Sequence, residues 1–433
     1  MTGDAGQREK MRIQQRRFFK LIRLEDALRQ IDQAVPSRLP ASENIETVRS
    51  LGRVLAEDVV SQNDVPDHEY AAMDGYAVKT RNIDDASEKK PVRLTVTGEL
   101  HPIDHPTTHS IGDNETMYVA CGAPIPKGAD AVLRVEHANV GNGTIVVKAP
   151  LEPGRNICRT GEDLRKDELA LRTGRVIRPQ DIGLLVALNR EHVNVISKPR
   201  VAILSVGDEL TEPFKKTQNK TINNNAFIVS SLVQYFSGEP VLLGIARDNI
   251  EDISRKIAST IENVDIVITI AGCSVGIRDY VPDAIRSLGE PAILFHGVAL
   301  SAGKVSGFAV IHGKPIFMLP GHVGSTVAAF YLLVTPLLNK LQGLGFKDTL
   351  PTVTCTLDEA IKTKPSVDLV LPVKVYRKER CYRAIPLKKP LSVLKNLSDA
   401  NGYAIIPGGK MLAKDATVDV KLYGGLEFNS LSG

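Results

Sequence analysis

Four acids stand just past apolar runs of this chain: Asp208 and Glu209 in Ser205-Val206-Gly207-Asp208-Glu209-Leu210, Asp248 in Arg247-Asp248-Asn249, and Asp279 closing Gly272-Cys273-Ser274-Val275-Gly276-Ile277-Arg278-Asp279. Carboxylates so placed can hold Mg2+ through one or two side chains plus the phosphates of a ligand. Any one of them alone reads as a turn cap; their joint placement is what points to a site. The stretch from Gly272 to Gly276 suits a phosphate, because glycine carries no Cβ and tolerates unusual φ. A second glycine-bearing loop, Leu319-Pro320-Gly321-His322-Val323-Gly324-Ser325, precedes a long apolar helix. The same G-x-S-x-G string would suit a nucleophilic Ser274 on a strand-to-helix elbow, but no H-G-G-G-type oxyanion motif precedes it. His101, His105 and His109 have metal-like spacing, yet Pro102 and Pro106 break any helix that would align them, so they read as a solvated loop.

Buried strands and helices must bring those loops together. Residues 201–205, 241–246, 265–271 and 293–300 are apolar runs of strand length, and residues 224–236, 250–262, 280–287 and 325–341 carry helical spacing. All-apolar strands alternating with helices predict a mainly parallel sheet covered on both faces. Ligands of such sheets sit beyond the carboxyl ends of the strands, where the acids and glycines fall. A doubly wound α/β domain is therefore expected at residues 198–345. Short β-rich runs fill residues 46–163, and β-type alternation resumes over 346–433, so the fold class is α/β and β multidomain. Helices predicted at 24–35, ended by Pro36, and at 179–188 assign residues 22–45 and 164–197 to one discontinuous linker or dimerisation domain threaded around the β insert. Residues 1–21 form a basic N-terminal tail.

Composition narrows the classes of function. A length of 433 residues, 43% hydrophobic and 24% charged, is the profile of a globular multidomain protein. A net charge of +4 over that length is no basic stripe, and the absence of tryptophan argues against a stacking platform, so nucleic acid is not an expected partner. No apolar run approaches the roughly 20 residues that cross a bilayer, and the basic start has no signal-like apolar core; a cytoplasmic address and no membrane partner are expected. Five scattered cysteines without a C-x-x-C read as free thiols.

The string Ala72-Met73-Asp74-Gly75-Tyr76-Ala77-Val78 resembles the M-D-G-Y-A-V signature of the molybdopterin molybdenumtransferases, the MoeA and gephyrin E-domain family. Further motifs follow in that family's order: Leu51 to Val59, Gly161-Glu162-Asp163, Val206 to Leu210, Ser274-Val275-Gly276, Phe295 to Ala299, Leu319-Pro320-Gly321 and Ala400-Asn401-Gly402. The resemblance implies an elongated homodimer of four-domain subunits, with a cleft between the doubly wound domain of one chain and the M-D-G-Y-A domain of the other. It implies Mg2+-dependent insertion of molybdate, or of tungstate, into adenylylated molybdopterin with release of AMP. Carried over residue by residue, it implies catalytic roles for Asp74, Asp163, Glu209 and Asp279, and metal contacts from Glu209, Asp248 and Asp279. It implies cofactor-side contacts from Gly272, Ser274, Gly276, Arg278, Lys304, Pro320 and Gly321. Because molybdenum ends on the two soft sulfurs of the pterin, the protein need supply no cysteine ligand.

Departures from the family pattern cluster in the implied cleft. Cys121-Gly122-Ala123 stands for T-G-A, Cys158 for an arginine, and Ala271-Gly272-Cys273-Ser274 for G-G-V-S. Ser301-Ala302-Gly303-Lys304-Val305 stands for K-P-G-K-P, and Pro320-Gly321-His322-Val323 for P-G-N-P. One lysine and one arginine are thereby missing, with Arg159, Arg278, Lys304 and His322 as substitutes. An edited anion site has a second reading: a non-catalytic paralogue that binds a pterin or nucleotide, or a dimeric scaffold of the kind gephyrin represents.

Overall fold

Leu24, Ala27, Leu28 and Ile31 form one apolar stripe at helical spacing, and helix α1 runs over Leu24–Ala34 with Ala27 and Ile31 buried. Val35 lies in the extended region, as a residue before proline must, and ends the helix. The computed structural model describes residues 20–36, 40–106, 109–215, 218–274, 276, 279–290, 293–390 and 392–423. The chain divides into two compact units, residues 1–42 with 196–433, and residues 43–195. The α1 stripe packs in one core with Val201, Ile203, Phe330 and Leu333 of the first unit, whereas helix α2 (Pro179–Ala187) belongs to the second. The apolar face of α1 needs a partner, and the long helical segment at residues 323–341 supplies it.

In the unit of residues 43–195, Gly75–Val78 is a fully buried strand inside a six-stranded sheet. It pairs antiparallel with Ala131–Arg134 on one side and Glu115–Val119 on the other. The glycine is sterically required, since a Cβ at Gly75 would lie 2.2 Å from the carbonyl oxygen of Leu133. Helix α2 packs Leu185 against Leu55, Val59, Leu171 and Val195 in a separate small core.

The other unit holds the doubly wound sheet. Its strands are β1 (Arg200–Val206), β2 (Glu239–Ala246), β3 (Ile266–Ile270), β4 (Ile293–His296), β5 (Gly307–Ile311) and β6 (Lys314–Leu319), arranged β2-β1-β3-β6-β5-β4. β2, β1, β3 and β6 are mutually parallel; β5 pairs antiparallel with both β6 and β4, so β5 alone is reversed and the edge strand β4 runs in the direction of the parallel set. The run expected as a fourth strand at 293–300 is thus a short strand at the edge, Ile293–His296, and β6 takes the place beside β3. A two-residue turn, His312 at φ 51° and Gly313 at φ 74°, folds β6 back on β5. Positive φ at both central residues matches the twist of a tight hairpin.

Helices α3 (Asn224–Tyr235), α4 (Ile250–Ala258) and α5 (Val281–Arg286) follow β1, β2 and β3. After β6 comes α6 (Val323–Ala329), which passes through a π turn at Phe330–Val334 into α7 (Thr335–Leu341). Pro336 has no N–H to donate into the preceding turn, and the Phe330 carbonyl accepts both the Thr335 N–H and, at 3.3 Å, the Thr335 hydroxyl. The last stretch closes a five-stranded barrel of β7 (Thr352–Leu357), β8 (Leu369–Lys378), β9 (Cys381–Pro386), β10 (Gly402–Ile406) and β11 (Thr417–Leu422). Pairing of β7 with β11 removes the open edges that the expected β-rich segment would otherwise expose. Among the described residues no helix is long and apolar enough to cross a membrane.

Candidate functional site

From β1 the chain turns to β2 on one side and then to β3 on the other, so strand order reverses between β1 and β3. The helices that follow leave in opposite directions there, and a crevice opens at the carboxyl ends. An open cleft of about 830 Å3 lies at that point, lined by Glu209, Asp248, Gly272, Ser274, Asp279 and Gly321 among others. With Pro320, seven of the site residues expected from the sequence are therefore brought to one cavity.

Loop backbone positions each acid. The Asp208 N–H donates to Asp248 Oδ2 at 3.1 Å, which ties the loop after β1 to the loop after β2. Glu209 folds back over Gly207, where an added Cβ would stand 2.7 Å from both carboxylate oxygens. Asp279 Oδ2 accepts from the Gly276 N–H at 2.5 Å, and the Asp279 N–H donates to the Gly276 carbonyl at 3.2 Å. Gly272 has φ 62° beside Ala271 at φ 70°, and a Cβ at Gly272 would meet Val206 and Val281 methyls at 3.0 Å. The glycine thus makes the cleft floor thin.

Cys273 lines the cleft but is 1% exposed, and its thiol donates to the Leu319 carbonyl at 3.3 Å. Burial, with the Asp279 charge adding to it, pushes the thiol up to about 12, so it stays neutral at ordinary pH. It is no nucleophile there. Ser274 is exposed at the cleft wall.

The sequence reading placed a helix from residue 224 but did not assign the asparagines at its start to the site. Asn223, Asn224 and Asn225 all line the cleft. Asn223 is buried and accepts from the Ser205 hydroxyl at 2.7 Å, while Asn225 Nδ2 donates to the Gly321 carbonyl at 2.7 Å. Three asparagines in a row before an apolar helix are an N-terminal signal that was available. The Thr326 hydroxyl donates to the Pro320 carbonyl at 2.6 Å and so pins the loop that carries Gly321 and His322.

Other expected residues lie elsewhere. Lys304 is exposed, with Val305 rather than Lys304 lining the cleft, and Ser301 Oγ accepts from the Val370 N–H at 3.0 Å. Arg278 and residues 1–19 of the basic tail lie outside the described residues. Asp74 and Asp163 belong to the unit of residues 43–195. There Asp74 Oδ1 accepts from the Cys121 N–H at 2.9 Å, and the Asp163 N–H donates to the Val65 carbonyl at 3.0 Å. Cys158 sits opposite Tyr70 in an antiparallel pair, and hydrogen bonding to its thiol raises the Tyr70 phenol above its ordinary value.

The chemistry of the cleft follows from its lining. No lysine or arginine is among the described lining residues, and His322 is the one basic side chain there. Among the described residues no three His, Cys, Asp or Glu side chains gather as a preformed metal cage. Glu209, Asp248 and Asp279 instead suit a hard cation that arrives with the phosphate of a ligand and keeps several of its waters. An anionic ligand would otherwise meet backbone N–H groups at helix starts and glycines.

Comparison with known proteins bears on this cleft. Residues 22–189 match the MoeA N-terminal region (domain I and II), and residues 202–340 match a probable molybdopterin binding domain. The molybdopterin molybdenumtransferase of Haemophilus influenzae is 31% identical over 304 residues, 70% of this chain and 73% of that one. The enzyme of the same name from Staphylococcus epidermidis is 29% identical over 375 residues, 84% and 87% of the two chains. The solved molybdopterin biosynthesis moeA protein of Pyrococcus horikoshii OT3 is 30% identical with a TM-score of 0.79, covering 93% of this chain and 100% of that one.

Proposed function

This chain belongs to the MoeA family of molybdopterin molybdenumtransferases and is a transferase of molybdenum cofactor biosynthesis, and from that premise we propose that its cleft inserts molybdate or tungstate into adenylylated molybdopterin with release of AMP. One observation carries the proposal: Glu209, Asp248 and Asp279, from the ends of three different strands, line one cleft whose floor is Gly272. When bound, Mg2+ would polarise the pyrophosphate linkage of the substrate. The chain's own part is positional. Glu209, Asp248 and Asp279 would hold the cation's side of the ligand, Gly272, Ser274 and Gly276 would face its phosphates, and Pro320 and Gly321 would form the wall adjoining Ala271. Positioning and charge placement, with no covalent protein intermediate, suit a site whose thiol is buried and neutral.

The reading extends to a cytoplasmic homodimer in which Asp74 and Asp163 complete the catalytic set. Arg278 and Lys304 remain proposed ligand contacts. Incubation with adenylylated molybdopterin, Mg2+ and either molybdate or tungstate tests it, with AMP as the readout. Oxyanion-dependent AMP release supports the transferase step. Tight retention of the pterin without release, with either oxyanion, would overturn it in favour of a binder.

A further inference from the structure

Ala271 holds a left-handed φ beside Gly272, and strained backbone of this kind in a residue with a Cβ persists only where its surroundings over-determine it. The contacts that do so are specific. The Ala271 N–H donates to the Leu319 carbonyl at 2.9 Å, the Cys273 thiol reaches the same carbonyl at 3.3 Å, and the Gly272 carbonyl accepts from the Val281 N–H at 3.0 Å. Those bonds anchor the corner to β6 and α5. The next peptide is held from a different direction: His296 Nε2, on the edge strand β4, stands 2.6 Å from the Cys273 carbonyl oxygen. A carbonyl only accepts, so Nε2 carries the proton and donates.

We infer that His296 is a positioning residue, which orients the Cys273–Ser274 peptide so that the Ser274 N–H meets an anionic oxygen of the ligand's phosphate. In a planar trans peptide the N–H points opposite to the C=O. Holding the Cys273 carbonyl towards β4 therefore holds the Ser274 N–H away from it, on the residue that lines the cleft. Among the described residues the cleft wall offers an anion no lysine or arginine, so N–H groups of this kind are donors it presents there. His296 touches neither ligand nor reacting atoms in this scheme; it acts through the peptide. The inference rests on the pterin-transferase reading of the cleft.

The test compares wild type with His296→Gln, His296→Asn and His296→Leu. Glutamine places an amide donor near the position of Nε2, whereas asparagine is too short to reach the Cys273 carbonyl. KM for adenylylated molybdopterin should rise about tenfold in the Leu and Asn variants, the size of one lost hydrogen bond, with kcat changed less than about threefold. Glutamine should restore KM to within about threefold of wild type. Hydrogen exchange should show faster exchange at residues 272–276 in the Leu and Asn variants than in the Gln variant, with β3 unchanged. If the Leu variant does not fold, the Gln and Asn pair decides. Equal KM in all variants, or failure of glutamine to restore what asparagine loses, would overturn the inference. If wild type neither binds the pterin nor releases AMP, the functional reading fails, while the exchange comparison still reports whether His296 holds the loop.

Discussion

Gly272→Ala probes the cleft floor most directly. Gly272 sits at φ 62°, and a Cβ there would lie 3.0 Å from Val206 Cγ1, 3.0 Å from Val281 Cγ2 and 3.3 Å from Val206 Cβ. A left-handed conformation costs an L-residue about 1–2 kcal/mol. Forcing a methyl into a packed interior costs about 1–3 kcal/mol more. The stiffer unfolded chain of alanine offsets about 0.4–1 kcal/mol of this. The balance is a loss of about 3 kcal/mol. Gly313 in the β5–β6 turn is the matched control: φ is 74°, and an added Cβ meets nothing within 4 Å. Gly313→Ala should therefore cost only the conformational part, about 1 kcal/mol. Differential scanning calorimetry reads both, at about 2–4 °C per kcal/mol for a unit of this size. The transition should fall about 6–12 °C for Gly272→Ala and about 2–4 °C for Gly313→Ala, with KM raised only in the former. Equal shifts for the two variants would refute the argument that Val206 and Val281 press on the floor.

Further outcomes are expected at Asp279, at the buried thiols and at Asp181. Asp279→Asn keeps an acceptor for the Gly276 N–H but removes the charge, so the melting temperature should hold while the Mg2+ concentration for half-maximal AMP release rises at least tenfold. Asp279→Ala should in addition lose about 1–3 kcal/mol in urea unfolding, since the loop loses its charge-assisted bond. Thiol titration at pH 8 should modify the exposed Cys121 and Cys381 quickly and leave Cys273 and Cys355 silent until unfolding. Burial pushes those two thiols up from 9.0 to about 12 and about 11, so their stabilisation is complete below about pH 9 and is lost as pH rises through the folded values. Unfolding midpoints should therefore decline above pH 9, less steeply in Cys273→Val. In the other unit, Asp181 is 3% exposed and accepts from Arg175 Nε at 3.0 Å, Arg175 Nη2 at 2.9 Å and the Arg178 N–H at 3.0 Å. Because both arginines can turn to water, Asp181→Ala should cost about 2–3 kcal/mol by denaturant titration, below the range for a fully buried pair.

Local chemistry wrote much of this protein into its sequence. Apolar spacing located α1, α3 and the long helix after β6, and all-apolar runs located β1, β2 and β3, because side-chain periodicity follows directly from backbone geometry. The motif with Asp74 and the loops with Glu209 and Asp279 were legible as motifs, and Gly75 and Gly272 sit where added side chains would collide. Tertiary packing decided the rest. That Asp208 and Asp248 share a hydrogen bond across 40 residues depends on β1 and β2 lying side by side, which no local pattern states. Which faces meet is likewise non-local: the α1 stripe is as apolar in either unit's company, yet it packs against the long helix. The β5–β6 hairpin, which the sequence reading did not contain, puts β6 beside β3 and leaves residues 293–296 at the edge, since edge and central strands share an apolar composition. The three asparagines at the start of α3, the absence of lysine and arginine from the described cleft wall, and the His296 contact with Cys273 all arise where elements distant in sequence converge. Sequence periodicity records what each segment must bury, whereas partner and direction are settled by the free energy of the whole packed unit.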